Sequence, residues 1–203
     1  MSFKLETVSD QLKPCNTMLR VSLRSQTFLI AGSDTTSKYV CEFIYYSSYL
    51  TLIFMDDDPV ATSEQVQNLP FLDACIKEGL RILSTIALGL PRVIPERAVV
   101  GVPIYTLHSD PDIWGNDPDV YRPERWFDVE KVTVMHKAFN PFSSGPRACV
   151  GRNLAALELS LIIATLLRRY YFVLAEPEKP LETREAFIRK PVRCNVGIQR
   201  RDV

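Results

Sequence analysis

Phe142-Ser143-Ser144-Gly145-Pro146-Arg147-Ala148-Cys149-Val150-Gly151 is the stretch on which the reading of this chain turns. It sets one cysteine in a loop punctuated by Gly145 and Gly151, with Arg147 two residues ahead of the sulfur. Glycine lets a backbone turn sharply and lie against a flat surface where a Cβ would clash. Helix-start signals and an apolar run follow, so the sulfur is expected near a helix N-terminus. Free N–H groups there stabilise negative charge, and hence a thiolate. Phe142 can shield the sulfur from water. The plain alternative is a small buried hydrophobe, the usual fate of a lone cysteine.

Composition sets the outer limits. The 203 residues carry 24 Lys and Arg against 24 Asp and Glu, and 46% of them are hydrophobic. That is ordinary for a globular core. No basic run stands out, which argues against nucleic-acid binding. Cys15, Cys41, Cys75, Cys149 and Cys194 are odd in number and far apart. They propose neither a disulfide framework nor a zinc site, and a reducing compartment suits them. Met1 to Pro14 is polar, with Lys4, Glu6, Asp10 and Lys13, and does not read as a signal peptide. Tyr39 to Met55 is mostly apolar but contains Glu42 and falls short of the roughly 20 residues of a spanning helix. It reads as the buried continuation of a core helix.

The remaining pattern is mainly helical. Ser25 to about Tyr46 reads as a helix interrupted near Gly32. Pro70 suits the first position of another, and Leu72, Ile76, Leu80 and Leu83 give it a buried stripe. From Pro91 to Pro146 the chain is rich in proline and aromatics. Ala98-Val99-Val100 and Ile104-Tyr105-Thr106-Leu107 suit strands there. Asn153 to Tyr170 is predicted helical, with Leu154, Leu157 and Leu161 on one face. Arg193 to Gln199 looks like a terminal strand.

Two further groups carry chemistry. In Ala31-Gly32-Ser33-Asp34-Thr35-Thr36, a glycine inside an apolar helix costs roughly 1 kcal/mol against alanine and wants a reason. Hydroxyls of Thr35 and Thr36 can compete for helix carbonyls and open the local ladder. A helix N-cap at Asp34 explains the same residues equally well. Glu78 and Arg81 are three apart and can pair on one helix face. Most such pairs are solvated surface charges.

The cysteine loop resembles that of the cytochrome P-450 family, the haem-thiolate monooxygenases, whose pattern F-x-x-G-x-R-x-C-x-G is met at Phe142, Gly145, Arg147, Cys149 and Gly151. The resemblance implies haem b with Cys149 as axial thiolate to the iron; such a ligand pushes electron density onto the metal and favours O–O cleavage. It implies Arg147 as a propionate partner, with Arg92 a second or else a surface arginine. Ala31 to Thr36 is similar to the family's oxygen-activation motif, which makes Asp34 and Thr35, with Thr36, a proton-delivery group. Glu78, Arg81 and the Arg125 of Pro123-Glu124-Arg125 match the family's buried structural triad, where a guanidinium fork suits a carboxylate better than lysine does. Ser84 to Pro95, Asn140 to Phe142, Arg147 to Ala155 and Glu176 to Glu185 resemble the fungal benzoate para-hydroxylases.

The resemblance covers most of residues 22–36 and 64–203. It implies a single partial domain over 1–203, mainly α with small β elements, the C-terminal part of the P-450 fold. Its regions are the oxygen-binding helix (22–55), the K-helix region (64–90), strands, meander and cysteine loop (91–151), the L-helix region (152–175) and C-terminal strands (176–203). The implied activity is O2- and NADPH-dependent hydroxylation of a small aromatic carboxylate such as benzoate. Electrons would come from NADPH–cytochrome P-450 reductase, steered by Lys137 and Arg152, or else those two charges are simply solvated. Family members are more than twice as long and sit on the cytosolic face of the endoplasmic reticulum membrane. This chain lacks their anchor and is expected to be cytosolic. The alternative expectation is a truncated, non-catalytic haem-binding fragment or an imperfect gene model.

Overall fold

Pro70 has no N–H to leave unpaired, so it opens helix α3 (Pro70–Leu83), around which the fold is assembled. The structure, a computed structural model, describes residues 31–46, 60–95, 98–186 and 188–201. It divides into two units, Met1–Asp34 and Thr35–Val203. The described residues of the first unit, 31–34, are helical. The second unit begins with α1 (35–46), followed by α2 (Ser63–Gln67) and α3. Short helices α4 (Ile104–His108), α5 (Pro111–Trp114) and α6 (Val132–Ala138) lie in the long connection to α7 (Arg152–Arg169).

Among the described residues, six short strands pair as three antiparallel ladders. These are β1 (Arg92–Val93) with β2 (Val99–Val100), β3 (Tyr170–Leu174) with β6 (Val196–Arg200), and β4 (Thr183–Arg184) with β5 (Lys190–Pro191). In the longest ladder Tyr170 faces Arg200 and Leu174 faces Val196. The fold is therefore mainly α with small β elements.

Helix α3 is buried on two sides. Leu72, Cys75, Ile76 and Leu83 join Tyr39 and Phe43 of α1, Leu159, Ile163 and Leu167 of α7, and Phe172 of β3. Ala74 joins a second cluster with Trp114, Trp126, Met135 and Ala138. Lys38 of α1 donates from Nζ to the Leu83 carbonyl at 2.9 Å, satisfying an acceptor that the end of α3 leaves open. The same ammonium pairs with buried Glu42 at 2.7 Å. Burial pushes the Glu42 carboxyl up to about 7, with Lys38 opposing the rise. Among the described residues no helix is long and apolar enough to cross a membrane.

Three local expectations are corrected. Ile104 to Leu107 is helical, not extended: Pro103 precedes it and accepts the Leu107 N–H at 3.2 Å. A four-residue apolar run cannot by itself separate strand from helix. On α7 the buried face is Leu159, Ile163, Ala164 and Leu167, whereas Leu154 and Leu157 are exposed. Apolar residues occupy much of that helix's circumference, so spacing alone did not choose the face. Finally, residues 31–33 are already helical, so no interruption occurs at Gly32 and Asp34 is not an N-cap. The predicted start at Ser25 and the run beyond Tyr46 to Met55 lie outside the described residues.

Gly79 shows how tightly α1 crosses α3. The Tyr39 hydroxyl donates to the Ile76 carbonyl at 2.7 Å, and the ring lies over Gly79. A Cβ on residue 79 would collide with the Tyr39 hydroxyl and sit 3.1 Å from its Cζ. Alanine gains about 1 kcal/mol of helix propensity, but overpacking a filled core costs about 1–3 kcal/mol. Gly79→Ala should therefore lower the midpoint of thermal unfolding, and Tyr39→Phe in the same chain should recover part of the loss. An unchanged midpoint in the single variant would mean that the helices separate freely at this crossing.

Candidate active site

The cysteine loop is built from backbone hydrogen bonds that close on themselves. Ser143 donates its N–H to the Asn140 carbonyl at 3.1 Å, with φ of 59° at Ser143. Gly145 follows at φ 69°, a conformation that disfavours any residue with a Cβ. Gly145–Arg147 form one 3₁₀ turn, in which Ala148 donates to the Gly145 carbonyl at 3.0 Å. The Cys149 N–H then returns to the Phe142 carbonyl at 2.8 Å, sealing the loop. Gly151, by contrast, lies at φ −86°, open to any residue. A Cβ there would lie 4.0 Å from the Cys149 sulfur, so its absence keeps the space beside the sulfur clear.

Cys149 is exposed, three residues ahead of α7. Close to it in sequence are Val150, 82% exposed, and Leu154, 61% exposed. Phe142 is half-buried and Arg147 is exposed. Arg92 reaches the loop, its Nη2 donating to the Ser144 carbonyl at 3.2 Å. Thr35 and Thr36 are half-buried on α1, and Asp34 is half-buried in the first unit.

Behind the loop sits a buried carboxylate. Glu78 is fully buried, and its two oxygens accept five hydrogen bonds. Arg81 binds as a fork, Nε to Oε2 at 3.0 Å and Nη2 to Oε1 at 2.8 Å. Arg125 donates from Nε to Oε1 at 2.8 Å, the indole of Trp126 to Oε2 at 3.0 Å, and the Arg122 N–H to Oε1 at 3.1 Å. The structure thus brings Glu78, Arg81 and Arg125 into one cluster. Their spare donors pin the meander. Arg81 binds the His108 carbonyl at 2.6 Å, and Arg125 binds the carbonyls of Trp114, Asp117 and Val120 at 2.7–3.1 Å. Bidentate charged bonds of this kind are the strong ones.

Two participants were not picked out from sequence. Trp126 supplies a neutral donor to Glu78. His108, one of the two histidines in the chain, is fully buried between Trp114 and Phe139. Its Nδ1 lies 3.1 Å from the Arg81 carbonyl and 3.0 Å from Ser84 Oγ. Its Nε2 accepts the Asn140 N–H at 3.1 Å. Reading Ile104 to Leu107 as a strand left His108 unexamined at its end. Burial pushes the imidazole down to about 4; the Arg81 carbonyl bond opposes the shift, and the Arg81 charge adds to it.

The family is shown by comparison with known proteins. Residues 51–197 match the model of the Cytochrome P450 family. A benzoate 4-monooxygenase of Aspergillus niger is 42% identical over 86% of this chain, which covers 38% of that protein. A cytochrome P450 monooxygenase of Emericella nidulans is 33% identical, over 85% of this chain and 40% of its own length. One of Aspergillus oryzae is 34% identical, over 83% and 37%. The chain belongs to the cytochrome P450 family. It spans about two fifths of the length of these relatives.

Two predictions follow from the buried cluster. Arg81→Ala leaves the Glu78 carboxylate short of its fork, and removing one partner of a buried pair costs about 3–5 kcal/mol. Urea denaturation should show that loss; a parent-like midpoint would mean that Glu78 is rehydrated at little cost. The second concerns pH. His108 titrates near 6.5 unfolded and about 4 folded, so the unfolded chain binds more protons between those values. The contribution is fully present above pH 6.5 and is lost as pH falls through 4, by up to about 3 kcal/mol. The parent should therefore lose stability on acidification more steeply than His108→Gln, measured by denaturation at matched pH values.

Proposed function

We propose that this chain carries the haem-binding portion of a haem-thiolate monooxygenase acting on a small aromatic carboxylate such as benzoate. The observation that carries the reading is the exposed Cys149 sulfur, held in a closed loop at the start of α7 and backed by the Glu78 cluster. The surroundings suit a flat, apolar, anionic macrocycle. Val150 and Leu154, near Cys149 in sequence, leave apolar surface exposed, Gly145 gives the loop a shape a Cβ would strain, and Arg92 and Arg147 bring positive charge. Cys149 would be the axial thiolate of haem b, and the two arginines the partners of its propionates.

When bound, the haem supplies the activation of O2 and the insertion of one oxygen atom into the substrate. The protein's own work is to position, exclude water and deliver protons. Phe142, whose carbonyl accepts the Cys149 N–H at 2.8 Å, would shield the sulfur from solvent. The Thr35 hydroxyl would hold a proton toward the oxygen site, and Asp34 would resupply that hydroxyl, with Thr36 alongside. This is general acid catalysis by an acid–alcohol pair. NADPH–cytochrome P-450 reductase would supply electrons on the cysteine face, where Arg152 and Lys137 are exposed. For the full-length family the resemblance implies the cytosolic face of the endoplasmic reticulum membrane. The similarity to the Aspergillus niger benzoate 4-monooxygenase supports the substrate class.

The ligand assignment is tested by the reduced-plus-CO absorbance spectrum of haem-loaded protein. The parent should give a thiolate-type band and Cys149→Ala should lose it; an identical band in the variant would sink the assignment. The proton assignment is tested in the presence of reductase, NADPH and benzoate. Thr35→Ala should consume NADPH while 4-hydroxybenzoate per NADPH falls by at least about tenfold, the scale of a lost general acid. Equal coupling in parent and variant would remove Thr35 from the chemistry.

A further inference from the structure

Among the described residues, His108 joins the buried cluster to Asn140 at the start of the cysteine loop, with hydrogen-bond partners on both ring nitrogens. Its Nε2 receives an N–H from Asn140, so that nitrogen is bare. The proton must then sit on Nδ1, which faces two acceptors, the Arg81 carbonyl at 3.1 Å and Ser84 Oγ at 3.0 Å. Ser84 Oγ donates its own proton to the Arg81 carbonyl at 3.0 Å, leaving a lone pair for the imidazole. The backbone is tied in as well, because the His108 carbonyl accepts from Arg81 Nη1. On the other side, Asn140 hands the constraint onward. Its carbonyl accepts Ser143 N–H, and two residues later the Phe142 carbonyl accepts Cys149 N–H.

We infer that His108 is a positioning residue for Cys149: as the Nδ1–H tautomer it captures the Asn140 N–H on Nε2 and so ties the start of the cysteine loop to the Glu78–Arg81 cluster. Its effect at iron rests on the reading of Cys149 as the haem ligand; the link itself does not. The tautomer of an imidazole is set by the partner of its other nitrogen. A protonated ring would set N–H against N–H at Asn140 and release the loop. Among the described residues, the charged groups acting on the ring are Arg81 and Glu78 of α3, while α5 and the end of α6 contribute the Trp114 and Phe139 rings. Arg81 opposes protonation and Glu78 favours it more weakly, so with burial the ring stays neutral near pH 7.

Hydrogen exchange by mass spectrometry on the full chain tests this without haem. His108→Phe keeps a ring between Trp114 and Phe139 but has no acceptor. Exchange across Asn140 to Cys149 should speed up by about tenfold or more, while the core of α7 stays protected. His108→Gln, whose amide oxygen can reach the Nε2 position, should remain within about threefold of the parent. Equal exchange in the Phe variant and the parent overturns the inference, and so does equal acceleration in both variants. If the Phe variant fails to fold, nitrogen chemical shifts of the parent at pH 7 decide. A bare Nε2 supports the link and a protonated Nε2 overturns it. In haem-loaded protein, His108→Phe should also shift or weaken the thiolate-type CO band and His108→Gln should restore it. Loss of the exchange contrast strikes at His108, whereas absence of any CO band in the parent strikes at the haem reading alone.

Discussion

A carboxylate buried away from bulk solvent is the constraint on which this structure depends. Glu78 has room for about four good acceptor contacts, and it takes five donors from Arg81, Arg125, Trp126 and the Arg122 backbone. Two guanidinium groups then stand against one carboxylate, and the excess charge also has to be solvated. Backbone carbonyls do that work. Each arginine spends its remaining donors on His108, Val120, Trp114 or Asp117, all in the connection between α3 and α7. A chain with little regular structure is thereby given a fixed path. Buried ion pairs are weak evidence of net stability, because desolvation cancels much of the attraction. They are nonetheless unforgiving of a missing partner, and that intolerance is what makes them useful for defining one geometry.

The path ends at Asn140, and there the function of the cluster becomes visible. The cysteine loop is exposed and has no apolar core of its own. Its shape comes from a few backbone bonds and from two anchors, His108 on Asn140 and Arg92 on Ser144. On the proposed reading of Cys149 as the haem ligand, the loop would need support from behind, since ligand orientation tunes a metal site as well as ligand identity. Placing that support on α3, packed on both sides, gives the exposed sulfur the rigidity of the core.

How much of this could be read from the chain depended on the kind of signal. Pro70 marks the start of α3 because its missing N–H has a physical consequence there. Glu78, Arg81 and Arg125 could be singled out by their match to a motif, although nothing in their spacing tells a buried cluster from a solvated pair. The loop geometry was legible at Gly145, whose φ of 69° needs glycine, and not at Gly151, whose φ of −86° does not. His108 was not legible. Its short helix is indistinguishable from a strand by pattern, and its role depends on Asn140, 32 residues away in sequence. Gly32 stays without a packing reason, since a Cβ there meets nothing within 4 Å among its neighbours.

Helix α7 is the most instructive mismatch. A soluble helix with one buried stripe would have declared its face by periodicity. This one buries Leu159, Ile163, Ala164 and Leu167 along its middle and C-terminal part, yet Leu154 and Leu157 stay exposed near its N-terminal end, close in sequence to exposed Val150. Single exposed apolar residues need no explanation. Three within eight positions, beginning beside an exposed thiol, do. On the proposed reading the helix serves two apolar partners at once, the protein core along one face and the edge of a macrocycle at its first turns. Local rules of pattern fail most often where a second requirement is imposed on the same residues. The ambiguity of α7 in sequence is then a consequence of the site it helps to form.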